Sequence, residues 1–266
     1  MRITVLGSAS GISMPGRGHA SVAVECGSGL YMLDLGEPAG REILARRLPV
    51  ERLRAAFVTH MHADHCGGIF QFVKNLHLYH NHPDYLPQVD EFILAVPDEA
   101  VDAVNAFLTA TYMFPERMKV SVRLAGIRPG AFYSDENLAA AAIPTTHLEE
   151  YRGFLAAHPE YGGPRGQAFA FVLEGEGKRV VYSGDLGTVD DIRETARGAD
   201  LLVLEFGHLL PIEENLRRLA DIGVGRIILT HIFPDYSDRT AELQASCDGV
   251  MPGVVSVAED GLVVRV

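Results

Sequence analysis

The stretch 59–68, with the sequence THMHADHCGG, constrains the fold of this chain more than any other. It places three histidines and one aspartate within six residues, a composition that a hydrophobic core cannot use. The apolar run 55–59 before it predicts a buried strand, and Gly67 and Gly68 before the apolar run 69–73 predict a turn that leads into a helix. The polar side chains therefore lie on a strand-to-helix loop, a common place for chemistry on a rigid scaffold.

The spacing of these side chains favours metal binding. His60 and His62 are two residues apart on the extended exit of a strand, so both can reach the same ion. Asp64 and His65 lie further round the turn and can reach a second ion. Histidine and carboxylate are common ligands of zinc-like metals. We therefore predict a metal site here and set aside a polar loop that is rich in histidine by chance.

The pattern His60-x-His62-x-Asp64-His65 resembles the signature of the metallo-beta-lactamase superfamily of hydrolases. The beginning of the chain, with a strand, a Gly-Ser loop and a hairpin ending in Asp-Leu-Gly at 34–36, resembles the ribonuclease Z-like members of that superfamily. The resemblance implies an α/β fold, the four-layer αββα metallo-beta-lactamase sandwich. No linker or change of composition divides residues 1–266, so a single domain is expected.

The resemblance also implies the remaining metal ligands, each of which follows an apolar run. His147 ends the run 139–147, Asp185 follows a strand and Ser-Gly, and His231 follows the run 226–230. Carried over from the family, the first metal is bound by His60, His62 and His147, the second by Asp64, His65 and His231, and Asp185 bridges them.

The expected cofactors are two divalent ions about 3.5 to 4 Å apart, which activate a water molecule for hydrolysis. Zinc is favoured, because His62 replaces a carboxylate found in the diiron flavoprotein branch and no flavodoxin-like domain follows. Manganese and iron are the alternatives.

Asp64 and His208 are the predicted catalytic residues. In ribonuclease Z-like proteins and cyclic-phosphate phosphodiesterases, a histidine at about the place of His208 faces the scissile phosphate, and Glu205 can orient it here. A structural His208 that caps the following helix is the alternative. We expect hydrolysis of a small phosphodiester, with a lactone, thioester or other carboxylic ester as the alternative substrate. A metal-binding protein without turnover would have lost ligands, and this chain has lost none.

Residues 148–166 form a polar insertion with several aromatic residues, among them Tyr151, Phe154 and Tyr161. Because the insertion follows His147 directly, it is predicted to be a lid or a substrate wall. An ordinary surface helix and loop is the alternative. The three aromatic side chains are expected at the substrate entrance.

Three other features have simpler interpretations. Cys66 adjoins the histidine loop but is expected to pack beneath it, with metal contact as the alternative. His77, His80 and His82 have no carboxylate at ligand spacing and are predicted to form a solvated surface. Asp98 is predicted to cap a helix over 98–111.

The composition limits the partners. The formal net charge of −12 opposes attraction to polyanions. The insertion offers only Arg152 and Arg165 as cations, in place of the long Gly- and Lys-rich arm of ribonuclease Z. A small-molecule substrate is therefore expected, tRNA is not, and a homodimer is left open.

No apolar run is long enough to span a membrane, so a cytoplasmic location is expected. The three cysteines are sparse and predicted to be reduced.

Overall fold

The computed structural model describes residues 1–266, and its fourteen strands form two seven-stranded sheets. In chain order the strands are β1 (Arg2–Gly7), β2 (Ser21–Cys26), β3 (Gly29–Leu33), β4 (Leu53–Phe57), β5 (Glu91–Pro97), β6 (Ser121–Ile127), β7 (Gly130–Ser134), β8 (Ala139–Pro144), β9 (Phe169–Gly175), β10 (Lys178–Tyr182), β11 (Leu201–Glu205), β12 (Ile227–Thr230), β13 (Val255–Val257) and β14 (Val263–Arg265).

The two sheets have the same plan. The first has the order β14-β1-β2-β3-β4-β5-β6 and the second the order β13-β12-β11-β10-β9-β8-β7. In the first half of the chain, β1 to β3 pair antiparallel and β3 to β6 pair parallel. In the second half, β7 to β10 pair antiparallel and β10 to β13 pair parallel. Ligands of open α/β sheets bind beyond the carboxyl ends of such parallel strands. The loops after β3, β4, β10, β11 and β12 are therefore the expected place for a site.

Eight α-helices cover the outer faces of the sheets or form short turns between strands. They are α1 (Ala39–Ala45), α2 (Ala63–Cys66), α3 (Ile69–Tyr79), α4 (Val101–Ala110), α5 (Glu149–Ala157), α6 (Asp190–Arg193), α7 (Ile212–Leu219) and α8 (Thr240–Val250).

Three apolar layers hold these elements together. In β3, Leu30 and Met32 join the layer beneath the helices, where Phe72 of α3 also packs. The alternate residues Tyr31 and Leu33 join the layer between the two sheets, as the period of two along a strand requires. Strand β11 divides its side chains in the same way between the inter-sheet layer and the layer under α7 and α8. The predicted four-layer αββα sandwich is confirmed.

Some local predictions were wrong. Strand β7 and helix α8 were not predicted, and β8 ends at Pro144, three residues before His147. Asp98 does not cap a helix, because α4 begins only at Val101 after a 3₁₀ turn. Its carboxylate instead accepts hydrogen bonds from Arg128, Arg165 and Gln167. No helix is long and apolar enough to cross a bilayer, and the cytoplasmic location stays a prediction from the sequence.

Candidate active site

Loops from both sheets bring the predicted ligands together at one edge of the sandwich. The first sheet supplies the loop and short helix α2 that follow β4, and the second supplies the loops after β8, β10 and β12. Gly184, with a φ of +54°, stands where a Cβ would lie 2.9 Å from the Thr59 side chain. A side chain there would push the two sheets apart, so glycine allows the loop after β10 to meet the loop after β4.

The first group of side chains contains His60, His62, His147 and Asp185, whose ligand atoms lie within 4.8 Å of one another. Nε2 of His147 is 3.2 Å from Nδ1 of His62. Oδ2 of Asp185 lies 3.8 Å from Nε2 of His60 and 3.6 Å from Nε2 of His147. Four donor atoms therefore surround one point, as tetrahedral coordination of a zinc-like ion requires.

The second group contains Asp64, His65, His231 and the same Asp185. Oδ2 of Asp64 is 3.4 Å from Nε2 of His65 and 3.2 Å from Nε2 of His231. The other oxygen of Asp185, Oδ1, is 3.2 Å from Nε2 of His65 and 3.5 Å from Nε2 of His231. One carboxylate thus presents one oxygen to each group, which is the geometry expected of a bridge between two ions.

The donor atoms fit a pair of divalent cations. Nε2 of His60, Nε2 of His65 and Oδ1 of Asp185 are buried and have no hydrogen-bond partner in the protein. Buried polar atoms without partners are costly and need an explanation, and a bound ion gives one. The metallo-beta-lactamase fold implies divalent ions, and both groups could hold one. The individual roles of the seven residues as ligands stay a prediction.

The charge states of His60, His147 and Asp185 suit cation binding. Burial lowers the pKa of His147 to about 4 and lowers the pKa of His60 well below its ordinary value, so both imidazoles are neutral. Burial alone would raise the pKa of Asp185, but the neighbouring His65 and His231 hold it well below its usual range. Neutral imidazole and ionised carboxylate are the forms that coordinate a metal.

A buried carboxylate fixes the orientation of His65. Asp34, directly after β3, accepts hydrogen bonds of 2.7 Å from Nδ1 of His65, from the hydroxyl of Tyr182 and from the amide of Thr59. With Nδ1 donating to Asp34, Nε2 of His65 is left to face the second group. Sequence reasoning noted Asp34 as the end of a hairpin and missed this role. The signal for it was a carboxylate placed directly after a strand with no polar residue.

Glu205 and His208 form a second pair beside the bridge. Nδ1 of His208 lies 3.3 Å from Oε1 of Glu205 and 3.8 Å from Oδ2 of Asp185. The His208 amide donates to Oε2 of Glu205, which also lies 3.8 Å from Nδ1 of His231. The hydrogen bond to Glu205 raises the pKa of His208 above its ordinary value. Since the His208 side chain is 39% exposed, it is accessible at the rim of the site.

Cys66 and the second histidine patch lie apart from the two groups. The Cys66 thiol donates to the Met61 carbonyl at 3.5 Å and packs against the apolar layer under α3. Burial raises its pKa to about 11, so it stays a thiol. His77 accepts from the Lys119 amide, and His80 donates to the Val89 carbonyl. These contacts agree with packing for Cys66 and a surface role for the patch.

Comparison with known proteins gives the family and the fold. The family described as Beta-lactamase superfamily domain matches residues 32–232. Ribonuclease Z of Methanosarcina acetivorans is 23% identical, with 98% of this chain and 96% of the relative covered. Ribonuclease Z of Synechococcus sp. (strain WH7803) is 26% identical, with 100% of this chain and 96% of the relative covered.

Two solved structures have the same fold. Human tRNase Z, short form, superposes with a TM-score of 0.72 at 17% identity, covering 100% of this chain and 99% of that one. A diphosphatase from the PhnP family superposes with a TM-score of 0.67 at 18% identity, covering 100% of this chain and 97% of that one.

The expectation that tRNA is not a partner is wrong as an exclusion. The relatives that match nearly the whole chain are named Ribonuclease Z, and human tRNase Z shares the fold. The expectation relied on the lack of a Gly- and Lys-rich arm and on the net charge of −12, but the net charge sums the whole surface, whereas a polyanion meets only one face. Because the family match covers most of the chain and agrees with the sandwich and with the two ligand groups, the chain belongs to the beta-lactamase superfamily, as a metal-dependent hydrolase of the metallo-beta-lactamase fold.

Proposed function

We propose that this hydrolase is a phosphodiesterase in which His208 acts on the phosphate group beside two divalent cations. The observation that carries the proposal is the Glu205–His208 pair, 3.8 Å from the bridging carboxylate of Asp185. The relatives named Ribonuclease Z support the same reaction class, because a ribonuclease acts on a phosphodiester. The phosphodiester bond is common to RNA and to small diesters, so the proposal covers both.

His208 is suited to donate a proton. Its Nδ1 is held by Glu205, which leaves Nε2 free to point towards a bound substrate. The hydrogen bond to Glu205 raises the pKa of His208, so the imidazolium is populated at a higher pH than for an ordinary histidine. A phosphodiester needs this help more than an activated ester, because its leaving alkoxide must take up a proton.

The reaction then has three parts. When bound, two divalent cations lower the pKa of a water molecule and polarise the phosphate oxygens. The water oxygen forms a bond to phosphorus, losing a proton to solvent, while the bond from phosphorus to the leaving oxygen breaks. His208 gives its proton to the leaving oxygen, and Asp64, which is ionised because His231 and His65 outweigh the effect of its burial, accepts a hydrogen bond from the attacking water.

A substrate panel tests the reaction class. We expect bis(p-nitrophenyl) phosphate, a 2′,3′-cyclic nucleotide or a tRNA precursor with a 3′ extension to be hydrolysed faster than a β-lactam, an acyl-homoserine lactone or a glutathione thioester. His208→Ala should lower the rate for the cyclic nucleotide and the tRNA precursor by about 10² to 10⁴, the usual contribution of a general acid, and should lower the rate for bis(p-nitrophenyl) phosphate less, because p-nitrophenolate leaves without a proton. The metal content should stay the same, because His208 is not a predicted ligand.

The matched control is His82→Ala, which removes an exposed histidine outside both ligand groups and should leave the rate unchanged. If His208→Ala has no effect on the rate, the role of His208 is structural. If only the lactone or the thioester turns over, the protein is a carboxylic-ester hydrolase and the phosphodiesterase proposal fails.

A further inference from the structure

The insertion after His147 exposes aromatic side chains that the fold does not use. Helix α5, Glu149–Ala157, has no buried residue, although most helices of the sandwich contribute to an apolar layer. Tyr151 is 45% exposed, Phe154 50% and Tyr161 62%. Aromatic side chains that gather on a surface without packing into a core mark a binding site.

Phe154, His158 and Tyr161 lie together, and Tyr151 on the same insertion reaches a predicted metal ligand. The Tyr151 ring stands edge-on to the His62 ring, with centroids 6.3 Å apart and planes at 78°. Phe154 stacks with Tyr161, with ring centroids 5.9 Å apart and ring planes at 23°. The centroid of the His158 ring lies 4.4 Å from that of Phe154. Tyr151 and Phe154 are three residues apart on α5 and therefore lie on neighbouring positions of one helix face, so the aromatic side chains run from His62 outwards across the insertion.

Polar contacts fix both ends of the insertion to the body of the protein. At the beginning, Thr146 donates through its amide and hydroxyl to the carboxylate of Asp191. At the end, the Gln167 amide donates to Glu99 and its side chain to Asp98. The aromatic cluster is consequently held beside the site at two anchors.

We propose that the cluster of Tyr151, Phe154, His158 and Tyr161 is a stacking surface for the nucleobase attached to the scissile phosphodiester, an inference that rests on the proposed phosphodiesterase function. The base and the phosphate of a nucleotide are separated by one sugar, so a base on Tyr151 leaves the phosphate near His62. Every base has a π face, and aromatic side chains stack on bases with little dependence on sequence.

A nucleobase fits this surface better than two other occupants. An acyl chain needs a concave apolar pocket that encloses it, whereas about half or more of the surface of these side chains is exposed to solvent. A stable protein partner needs about 1,200 Å² or more of total buried surface. Three half-exposed aromatic side chains form a patch suited to one or two flat rings.

The test compares two cyclic diesters that differ only in the nucleoside. Adenosine 2′,3′-cyclic phosphate and glycerol 1,2-cyclic phosphate share the same strained five-membered phosphate ring, and hydrolysis of both is followed by phosphorus NMR. In Tyr151→Ala the ratio of kcat/KM for the adenosine ester to that for the glycerol ester should fall by about fivefold to 150-fold, mainly through KM. Phe154→Ala should lower the ratio in the same direction.

Two matched variants separate stacking from structure. Tyr151→Phe retains the ring and should retain the ratio, and Tyr112→Ala removes a tyrosine that is 80% exposed and pairs with Phe114 outside the insertion. Metal content is measured for every variant. A tRNA precursor with a 3′ extension is assayed in parallel. Tyr151→Ala should raise the KM of the substrate whose base stacks here, so the comparison tells whether that base belongs to a mononucleotide or to an RNA chain.

The outcomes are distinct. An unchanged ratio for Tyr151→Ala, with both diesters still hydrolysed, overturns the stacking surface and leaves the phosphodiesterase proposal in place. A ratio that falls equally in Tyr112→Ala also overturns it. If the wild-type protein loaded with metal hydrolyses none of the three diesters, the phosphodiesterase proposal fails and the stacking surface fails with it.

Discussion

His65 shows how a buried carboxylate determines which nitrogen of a histidine faces the predicted metal centre. Nδ1 of His65 donates to Oδ2 of Asp34 at 2.7 Å, and the same oxygen accepts from the Tyr182 hydroxyl at 2.7 Å. Burial would lower the pKa of His65, but Asp185 and Asp34 together raise it well above its ordinary value. The hydrogen bond to Asp34 therefore fixes the orientation of the imidazole, and a proton lost from His65 leaves from Nε2, the nitrogen that faces the second group.

The first residue-scale prediction concerns Asp34→Asn. An amide NH₂ at the place of Oδ2 would donate to Nδ1 of His65, which moves the proton of the neutral imidazole to Nε2 and blocks coordination there. We expect the affinity for the second divalent ion to fall by about 10- to 100-fold, the usual effect of removing such a partner. Calorimetric titration of the metal-free protein with zinc measures this affinity.

Cys66→Ala is the matched control for that titration. Cys66 adjoins His65 in sequence, but its thiol points to the Met61 carbonyl, so the affinities for both divalent ions should be unchanged. A loss equal to that of Asp34→Asn would place Cys66 among the ligands. Unchanged zinc affinity in Asp34→Asn would show that Asp34 does not orient His65.

Local pattern was enough to single out the side chains that the structure brings together. Each of the seven predicted ligands is a histidine or aspartate in or just beyond a loop that follows an apolar strand. The loop after β4 holds several of them close together in the sequence, which makes its pattern easy to recognise. The contact between Asp34 and His65 spans 31 positions, so the sequence marks Asp34 as a carboxylate after a strand but does not show its partner. The sequence did not predict the contact between Glu205 and His231 for the same reason.

At the scale of elements, the sequence predicted the strongly apolar strands and missed the weakly patterned ones. β7, Gly130–Ser134, is an edge strand of five residues with no buried residue, so it lacks the apolar run of a central strand. α8 buries only Leu243 and Cys247, which gives its helical period too little signal. Both elements form because tertiary contacts stabilise them, not because of local preference.

The turn between β7 and β8 is linked to the first sheet through Asp135. Its Oδ2 accepts from the hydroxyls of Tyr31, at 2.6 Å, and Tyr133, at 2.7 Å. Its Oδ1 accepts from the amides of Asn137 and Leu138 within the turn. Burial would raise the pKa of Asp135, but the hydrogen bonds from Tyr133 and Tyr31 hold it below its ordinary value.

Asp135→Asn should therefore destabilise the protein by about 1.5 to 3 kcal/mol at pH 7, the range for hydrogen bonds to a charged group. The folded pKa lies below the unfolded one, so this stabilisation is present above the unfolded carboxyl pKa of about 4 and is lost as the pH falls through the folded value. Urea unfolding of the metal-free wild type and variant at pH 7 and pH 3 should give a difference that shrinks at pH 3.

Glu136→Gln serves as the control, because Glu136 is exposed and its contact is a surface pair with Arg54. It should change the free energy of unfolding little at either pH. A difference for Asp135→Asn that is equal at pH 7 and pH 3 would mean that the charge of Asp135 does not contribute.

At the scale of the molecule, the predicted metal centre joins the two halves of the sandwich. The loop after β4 and α2 supply His60, His62, Asp64 and His65, and the second sheet supplies His147, Asp185 and His231. The apolar layer between the sheets already holds the two halves together. In it the ring centroids of Phe57 and Phe171 lie 6.2 Å apart. The fold could be predicted because the histidine loop and the opening hairpin resemble a known family, whereas the substrate depends on a surface that these motifs do not describe.

Removal of the ions should weaken this link. We expect two divalent ions per chain, zinc being favoured by the three histidines and one carboxylate of the first group, with manganese or iron as alternatives to be read directly by elemental analysis. A ligand that binds only the folded state stabilises it by about 2.7 kcal/mol for each site when its free concentration is 100 times its Kd. Thermal unfolding with and without a chelator should show a Tm that rises with free zinc. Asp185→Ala removes the shared ligand and should abolish this dependence, and a Tm that is independent of zinc in the wild type would contradict the metal centre.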